Sequence, residues 1–203
     1  VKDNILLKKS KIKSVGNYKK DQLDKNLFKI KKIKKKLKNK YKLSCIVKCP
    51  ESSYKSILTN SCHIISILLY LFGKIKLIKK IKLKNNITCL FQSFKKDIIT
   101  INFSMKNTDN FSIEIFDKNT RYQLAPIEKL SIFKKLETKN IFYNKVYTPK
   151  LLHQYDEIKT SKLFKPGFNK QIRAFKSFKT KKNIFNDILF AKEVMIICNK
   201  IIV

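Results

Sequence analysis

The spacing of apolar residues changes period several times along this chain, and each change predicts an element. Residues 41–49 alternate apolar and polar, which predicts a strand ended by Pro50. Ser52 or Ser53 can cap a helix beginning near Tyr54. Ile57, Leu58, Cys62, Ile65, Leu68, Leu69 and Phe72 then recur at helical spacing until Gly73. From Lys74 to Lys84, lysines and aliphatics alternate with one slip at Ile78; this predicts a strand with lysines on one face and a bulge at the slip. Further strands are expected over 87–91, 98–105, 111–116 and 141–147, with a turn at 92–97. Ile127, Leu130, Phe133 and Leu136, following Pro126, predict a second amphipathic helix over 126–136.

The flanking stretches read differently. Leu23, Leu27, Ile30, Ile33 and Leu37 form a helical stripe set among lysines. Phe164, Phe168, Phe175, Phe178 and Phe185 lie among basic residues, and the chain ends on the apolar runs Val194–Cys198 and Ile201–Val203. This divides the chain into a basic, partly helical N-terminal extension (1–40), a domain (41–148) and a basic, aromatic C-terminal extension (149–203), whose apolar end is expected to dock on another subunit. The order strand, helix, long strand pair, helix, strand predicts an α+β domain of the ferredoxin-like split βαβ type with a long β hairpin. Ile64–Phe72, the strongest apolar run, is nine residues against the about 20 a membrane span needs, so it reads as a buried helix face.

Charge adds a partner to this picture. Lys and Arg number 47 against 14 Asp and Glu, a formal net charge of +33, and only Arg121 and Arg173 are arginines. Such a surplus repels itself until a polyanion neutralises it, and nucleic acid is the expected one; a membrane surface is the alternative. Richness in Lys, Ile and Asn with only three Gly also fits an AT-rich coding sequence, which accounts for part of the lysine. The candidate RNA contacts are Lys32, Lys35 and Lys36 in the N-terminal arm, and Lys79, Lys80, Lys82, Lys84, Ser93, Lys95 and Lys96 on the hairpin. Arg173, Lys176 and Lys179 join them, where interleaved Phe could stack on bases.

Candidate chemistry is thin. His63 sits inside the first helix beside Cys62 and Ile64 and reads as a structural imidazole; His153 stands near Asp156 and Glu157. The five cysteines form no CxxC pair and read as small buried thiols in a reducing compartment. No P-loop, GxGxxG or HExxH pattern is present. The sequence therefore predicts no catalytic, metal or cofactor site, and a protein that is not an enzyme.

Residues 41–148 resemble the tenth protein of the small ribosomal subunit, the S-ten family. The residues carrying the resemblance are the early helix pair Ile57-Leu58, the helix-ending Gly73, Lys79-Lys80-Ile81-Lys82-Leu83-Lys84 and Ile87-Thr88-Cys89-Leu90. The hairpin tip at Ser93-Phe94-Lys95 and the return strand's Asn107-Thr108-Asp109 and Ile113-Glu114-Ile115 complete it. The family's Gly-Pro pair and tip Pro-His are replaced here. The resemblance implies a structural component of the small subunit of a mitochondrial ribosome, or less expectedly a plastid one. It implies binding to small-subunit rRNA and to head proteins of the S-three, S-nine and S-fourteen families. A lineage-specific mitoribosomal protein or other RNA-binding protein of a different fold, and less expectedly a basic membrane-peripheral protein, stand as alternatives.

Overall fold

The computed structural model describes residues 42–141, 144–156 and 184–203. Eight strands form one sheet: β1 Ser44–Glu51, β2 Ile75–Lys82, β3 Asn86–Ser93, β4 Ile98–Met105, β5 Ser112–Asp117, β6 Thr120–Leu124, β7 Lys129–Ile141 and β8 Asn144–Asp156. Their order across the sheet is β2-β3-β4-β1-β5-β6-β7-β8. Only β1 and β4 run parallel; the other six pairings are antiparallel. A π-helical turn, Ile57–Ser61, leads into α1 (Cys62–Phe72), and α2 spans Ile184–Ile202.

The alternation along each strand decides where the core lies. Cys45, Val47 and Cys49 of β1, Ile87, Cys89 and Phe91 of β3, and Ile99, Ile101 and Phe103 of β4 are buried. They share one cluster with Ile64, Ile65, Leu68 and Phe72 of α1 and with Val194, Ile197, Cys198 and Ile201 of α2. Both helices thus bury their apolar stripes in the core on one side of the sheet. Among the described residues no helix covers the opposite side, where Ile46 of the central strand is 42% exposed. Gly73 ends α1 at φ +75°, where a Cβ would be strained.

The slip at Ile78 is a bulge between Leu77 and Lys79, and it swaps the faces of β2. Before it, Ile75 and Leu77 pack against the core. After it, Lys80 stands opposite Cys89 and Lys82 opposite Ile87, on the helix side. The expected single lysine face is therefore split. Lys82 Nζ lies 5.1 Å over the Tyr54 ring, and Lys80 Nζ donates to the Lys200 carbonyl at 3.4 Å, where a cation suits the negative end of α2.

The ferredoxin-like split βαβ is corrected. Its second helix, expected over 126–136, is strand β7. The spacing of three in Ile127, Leu130, Phe133 and Leu136 concealed a period of two: Leu130 and Ile132 are buried, whereas Leu136 is 65% exposed. Strand β6 was not foreseen, and with β7 and β8 it extends an antiparallel run beyond anything in the expected fold. The turn at Ser93–Asp97 was foreseen, but it joins β3 and β4 inside the sheet and is no free arm. The expected boundary at 148/149 falls inside β8. The apolar C-terminal end, expected to dock on another subunit, packs on this chain's own α1.

Candidate functional site at the carboxyl end of the first strand

In open sheets with parallel strands, ligands gather beyond the carboxyl ends of those strands. Here the parallel pair is β1 and β4, and β1 ends on Glu51. Alternation turns Glu51 toward the helices, where it is only 3% exposed. Its carboxylate accepts bonds from the Ser61 hydroxyl and from Asn60 Nδ2 at 3.2 Å. Its carbonyl accepts the Lys106 N–H at 2.7 Å, which ties the ends of the two parallel strands together. Among the described residues no Lys or Arg side chain pairs with Glu51. A buried charge is tolerated when donors surround it, so the π-turn is fastened to the strand end by this carboxylate. Single π-turns cluster at functional sites.

The fastening fixes what the start of α1 presents. Ser61, Ile64, Ile65 and Leu68 face inward, whereas Thr59 and Asn60 are exposed and His63 and Ser66 half-exposed. Ser66 Oγ donates to the His63 carbonyl at 2.7 Å. His63 Nδ1 lies 3.7 Å from Cys62 Sγ, which leaves Nε2 uncommitted to that contact. Burial pushes the Cys49 thiol far above its ordinary range, against the lowering effect of its bond with Ser61. Burial likewise pushes Cys198 up to about 12, with Cys62 and Glu51 adding to it. These thiols are protonated near neutrality and are not nucleophiles. The Thr59 hydroxyl donates to the Ser56 carbonyl at 3.1 Å and so is left as an acceptor, and Asn60 keeps its Oδ1 and one N–H beyond the bond to Glu51; with the half-exposed His63 imidazole this set can bind a hydroxylated molecule and exchange a proton with one of its oxygens. Among the described residues no group of three His, Cys, Asp or Glu can hold a metal ion, and no helix is long and apolar enough to cross a membrane.

The expected RNA contacts are dispersed. Lys79, Lys80 and Lys82 lie on edge strand β2 and Lys84 in the turn after it, at one end of β3; Lys95 and Lys96 lie in the turn at its other end. Ser93 is buried, and its hydroxyl donates to Asp97 Oδ2 at 2.7 Å to build that turn. Lys32, Lys35, Lys36, Arg173, Lys176 and Lys179 lie outside the described residues. The sequence reads His63 as a structural imidazole and gives Glu51 no role. The available signal was the polar run Thr59-Asn60-Ser61-Cys62-His63 opening an otherwise apolar helix.

No protein family matches the chain by sequence, and no curated protein does. Solved structures do match in fold. An oxidoreductase from Thermotoga maritima superposes with TM-score 0.62 at 9% identity, covering 92% of this chain and 58% of that one. Levoglucosan dehydrogenase in complex with NADH gives 0.58 at 12%, covering 92% and 62%. The super-repressor mutant of Gal80p from Saccharomyces cerevisiae gives 0.55 at 12%, covering 90% and 61%. The chain thus spans about three fifths of the length of the structures it matches. At these identities the likeness is one of fold. It overturns the resemblance to the S-ten family, and with it the ribosomal function and the rRNA, S-three, S-nine and S-fourteen partners. The expectation of a non-enzyme falls too, because it rested on that reading and on missing motifs, while the fold is one that dehydrogenases use.

Proposed function

We propose that this chain is the substrate-side sheet of an oxidoreductase-type protein, and that the corner at Glu51 holds a small hydroxylated substrate against His63. The observation that carries this reading is the buried Glu51 carboxylate, which locks the π-turn so that Thr59, Asn60 and His63 face outward at the end of the parallel pair. Thr59 and Asn60 hydrogen-bond the substrate's hydroxyls. His63 Nε2 would hold or deliver the proton of the substrate oxygen; the hydride on the carbon beside it would pass to a two-electron acceptor such as a nicotinamide held elsewhere in the protein. The fold it shares with dehydrogenases supports the assignment.

The residues present do not fit a dinucleotide. Such sites need a glycine-rich turn from a parallel strand into a helix N-terminus, where backbone N–H groups meet the pyrophosphate. Here the joint is Glu51-Ser52-Ser53, led by a buried carboxylate that would repel phosphate, and the one glycine among the described residues, Gly73, lies at the far end of α1. A nicotinamide cofactor, if the whole protein uses one, is held by other residues.

The chain has two histidines, so their imidazole Hε1 protons give two NMR signals. Titration with levoglucosan or glucose to about 10 mM, above the usual range of KM, is expected to move the His63 signal saturably and leave His153 in place. If neither sugar moves His63, the reading fails. NADH added to the same sample is expected to show no fluorescence enhancement; tight NADH binding would show that the dinucleotide is held by this sheet after all. A mitochondrial matrix location belongs to the proposal as well, on the AT-biased composition, and accumulation of a tagged chain in the cytosol would remove it.

A further inference from the structure

The side of the sheet opposite the described helices carries a second concavity that the corner does not use. A cleft of about 360 Å³ lies near the carboxyl ends of β1 and β4, within the size range of small-molecule sites. Lys48, Asn86, Thr88, Asn102, Ser104 and Asn107 supply its polar lining. Strand register builds its floor: Thr88 stands opposite Asn102, Asn102 opposite Lys48, and Lys48 opposite Ser112, one polar row across four strands. Thr88 Oγ1 donates to Asn102 Oδ1 at 3.0 Å, which fixes that amide and leaves its Nδ2 donors for the cleft. Lys48 is exposed, and no carboxylate among the described residues forms an ion pair with it. Asp109 lines the cleft too: its N–H donates to Asn107 Oδ1 at 3.2 Å, and its Oδ2 accepts from Asn107 Nδ2 at 3.5 Å.

We infer that this cleft is a binding site for a hydroxylated monocarboxylate, a sugar acid. The cleft holds one ammonium, Lys48, and one carboxylate, Asp109, which bonds to Asn107; Lys48 can answer one ligand carboxylate, whereas a phosphate dianion beside Asp109 would call for a second cation. The surrounding amides and hydroxyls both donate and accept, as a row of sugar hydroxyls requires. The net charge of +33 concentrates any anion near the chain but does not discriminate among them. Discrimination lies in the neutral lining. The site stands on the face of the sheet opposite His63 and does not rest on the reading of the corner.

Calorimetric titration of the full chain with gluconate tests the site, at about 0.15 M salt so that distant surface charge is screened. The expected result is saturable one-to-one binding, weakened at least tenfold by Lys48→Gln and by Asn102→Ala and unchanged by Lys95→Gln, a lysine in the β3–β4 turn. Glucose, which lacks the charge, and acetate, which lacks the hydroxyls, bind at least tenfold more weakly. Lys48→Gln keeps the parent melting temperature because the side chain is exposed, so its loss of binding is not a loss of fold. Saturation with gluconate leaves the His63 NMR signal in place. Absence of binding, equal binding by Lys48→Gln, or acetate matching gluconate overturns the proposal.

Discussion

Glu51 is a buried carboxylate in a chain of 47 basic residues, and among the described residues it pairs with none of them. Two neutral donors hold it instead, so removing one exposes the cost of an undersatisfied buried charge. Ser61→Ala is expected to destabilise the chain by about 1–3 kcal/mol, and Glu51→Gln in that background to recover part of the loss, both read by urea unfolding. A Ser61→Ala chain as stable as the parent would show that the bond does not fasten the turn. The thiols make a second prediction. Burial raises Cys89 to about 11 and Cys198 to about 12. The folded chain therefore holds these protons more tightly than the unfolded one, whose thiols ionise near 9.0. Their contribution is fully present below that value and is lost as pH climbs through 11 and 12. Between pH 8 and pH 10.5 the melting temperature should fall relative to that of a Cys89→Ala, Cys198→Ala chain, which carries the same lysines, and all five cysteines, buried in the fold, should resist a thiol reagent at pH 8 until denaturant is added. Fast labelling of the native chain would contradict this. None of the Glu51 geometry was legible in the sequence, because Glu51-Ser52-Ser53 reads equally well as a helix cap, and only strand alternation in three dimensions turns the carboxylate inward.

At the level of elements, the sequence was legible where one period dominated. The strand ending at Pro50 and Glu51, the helix ending at Gly73 and the bulge at Ile78 all follow from alternation, helical spacing and one slip in register. Residues 126–136 were misread because four apolar residues spaced by three imitate a helix, while the burial of Leu130 and Ile132 obeys the pleat. The two readings predict different mutants. Leu130→Ala should cost about 2–5 kcal/mol, whereas Leu136→Ala should change stability by no more than about 0.5 kcal/mol; comparable losses at both positions would restore the helix. The bulge has its own consequence. It brings Lys80 to the carboxyl end of α2, so Lys80→Met should loosen that helix by about 0.3–1 kcal/mol, seen as faster amide exchange over its last turn. Unchanged exchange there would mean that the contact contributes nothing.

For the molecule as a whole, net charge was the loudest signal in the sequence and the one that misled. Charge speaks to solubility and association, not to fold, so the lysine surplus could not choose between a ribosomal architecture and this mixed sheet. The architecture depended instead on long-range pairing, β1 beside β4 and β5 in particular, which no local pattern announces. Self-repulsion still has a physical effect: salt should raise the melting temperature by screening it, and a melting temperature independent of salt would show that the lysines lie too far apart to matter. The same fold is found in proteins named as dehydrogenases and in Gal80p, whose mutant is named a super-repressor, so function has to be argued from the corner and the cleft rather than from the fold. Both sites require that β1 lie at the centre of a mixed sheet. Backbone NOEs on labelled chain test this most directly. The account predicts contacts between β1 and β4 in parallel register, with Ile46 beside Thr100 and Lys48 beside Asn102, together with antiparallel contacts from Ile46 to Glu114. Residues 126–136 in helical contact with one another, or β1 without β4 as its parallel neighbour, would contradict it.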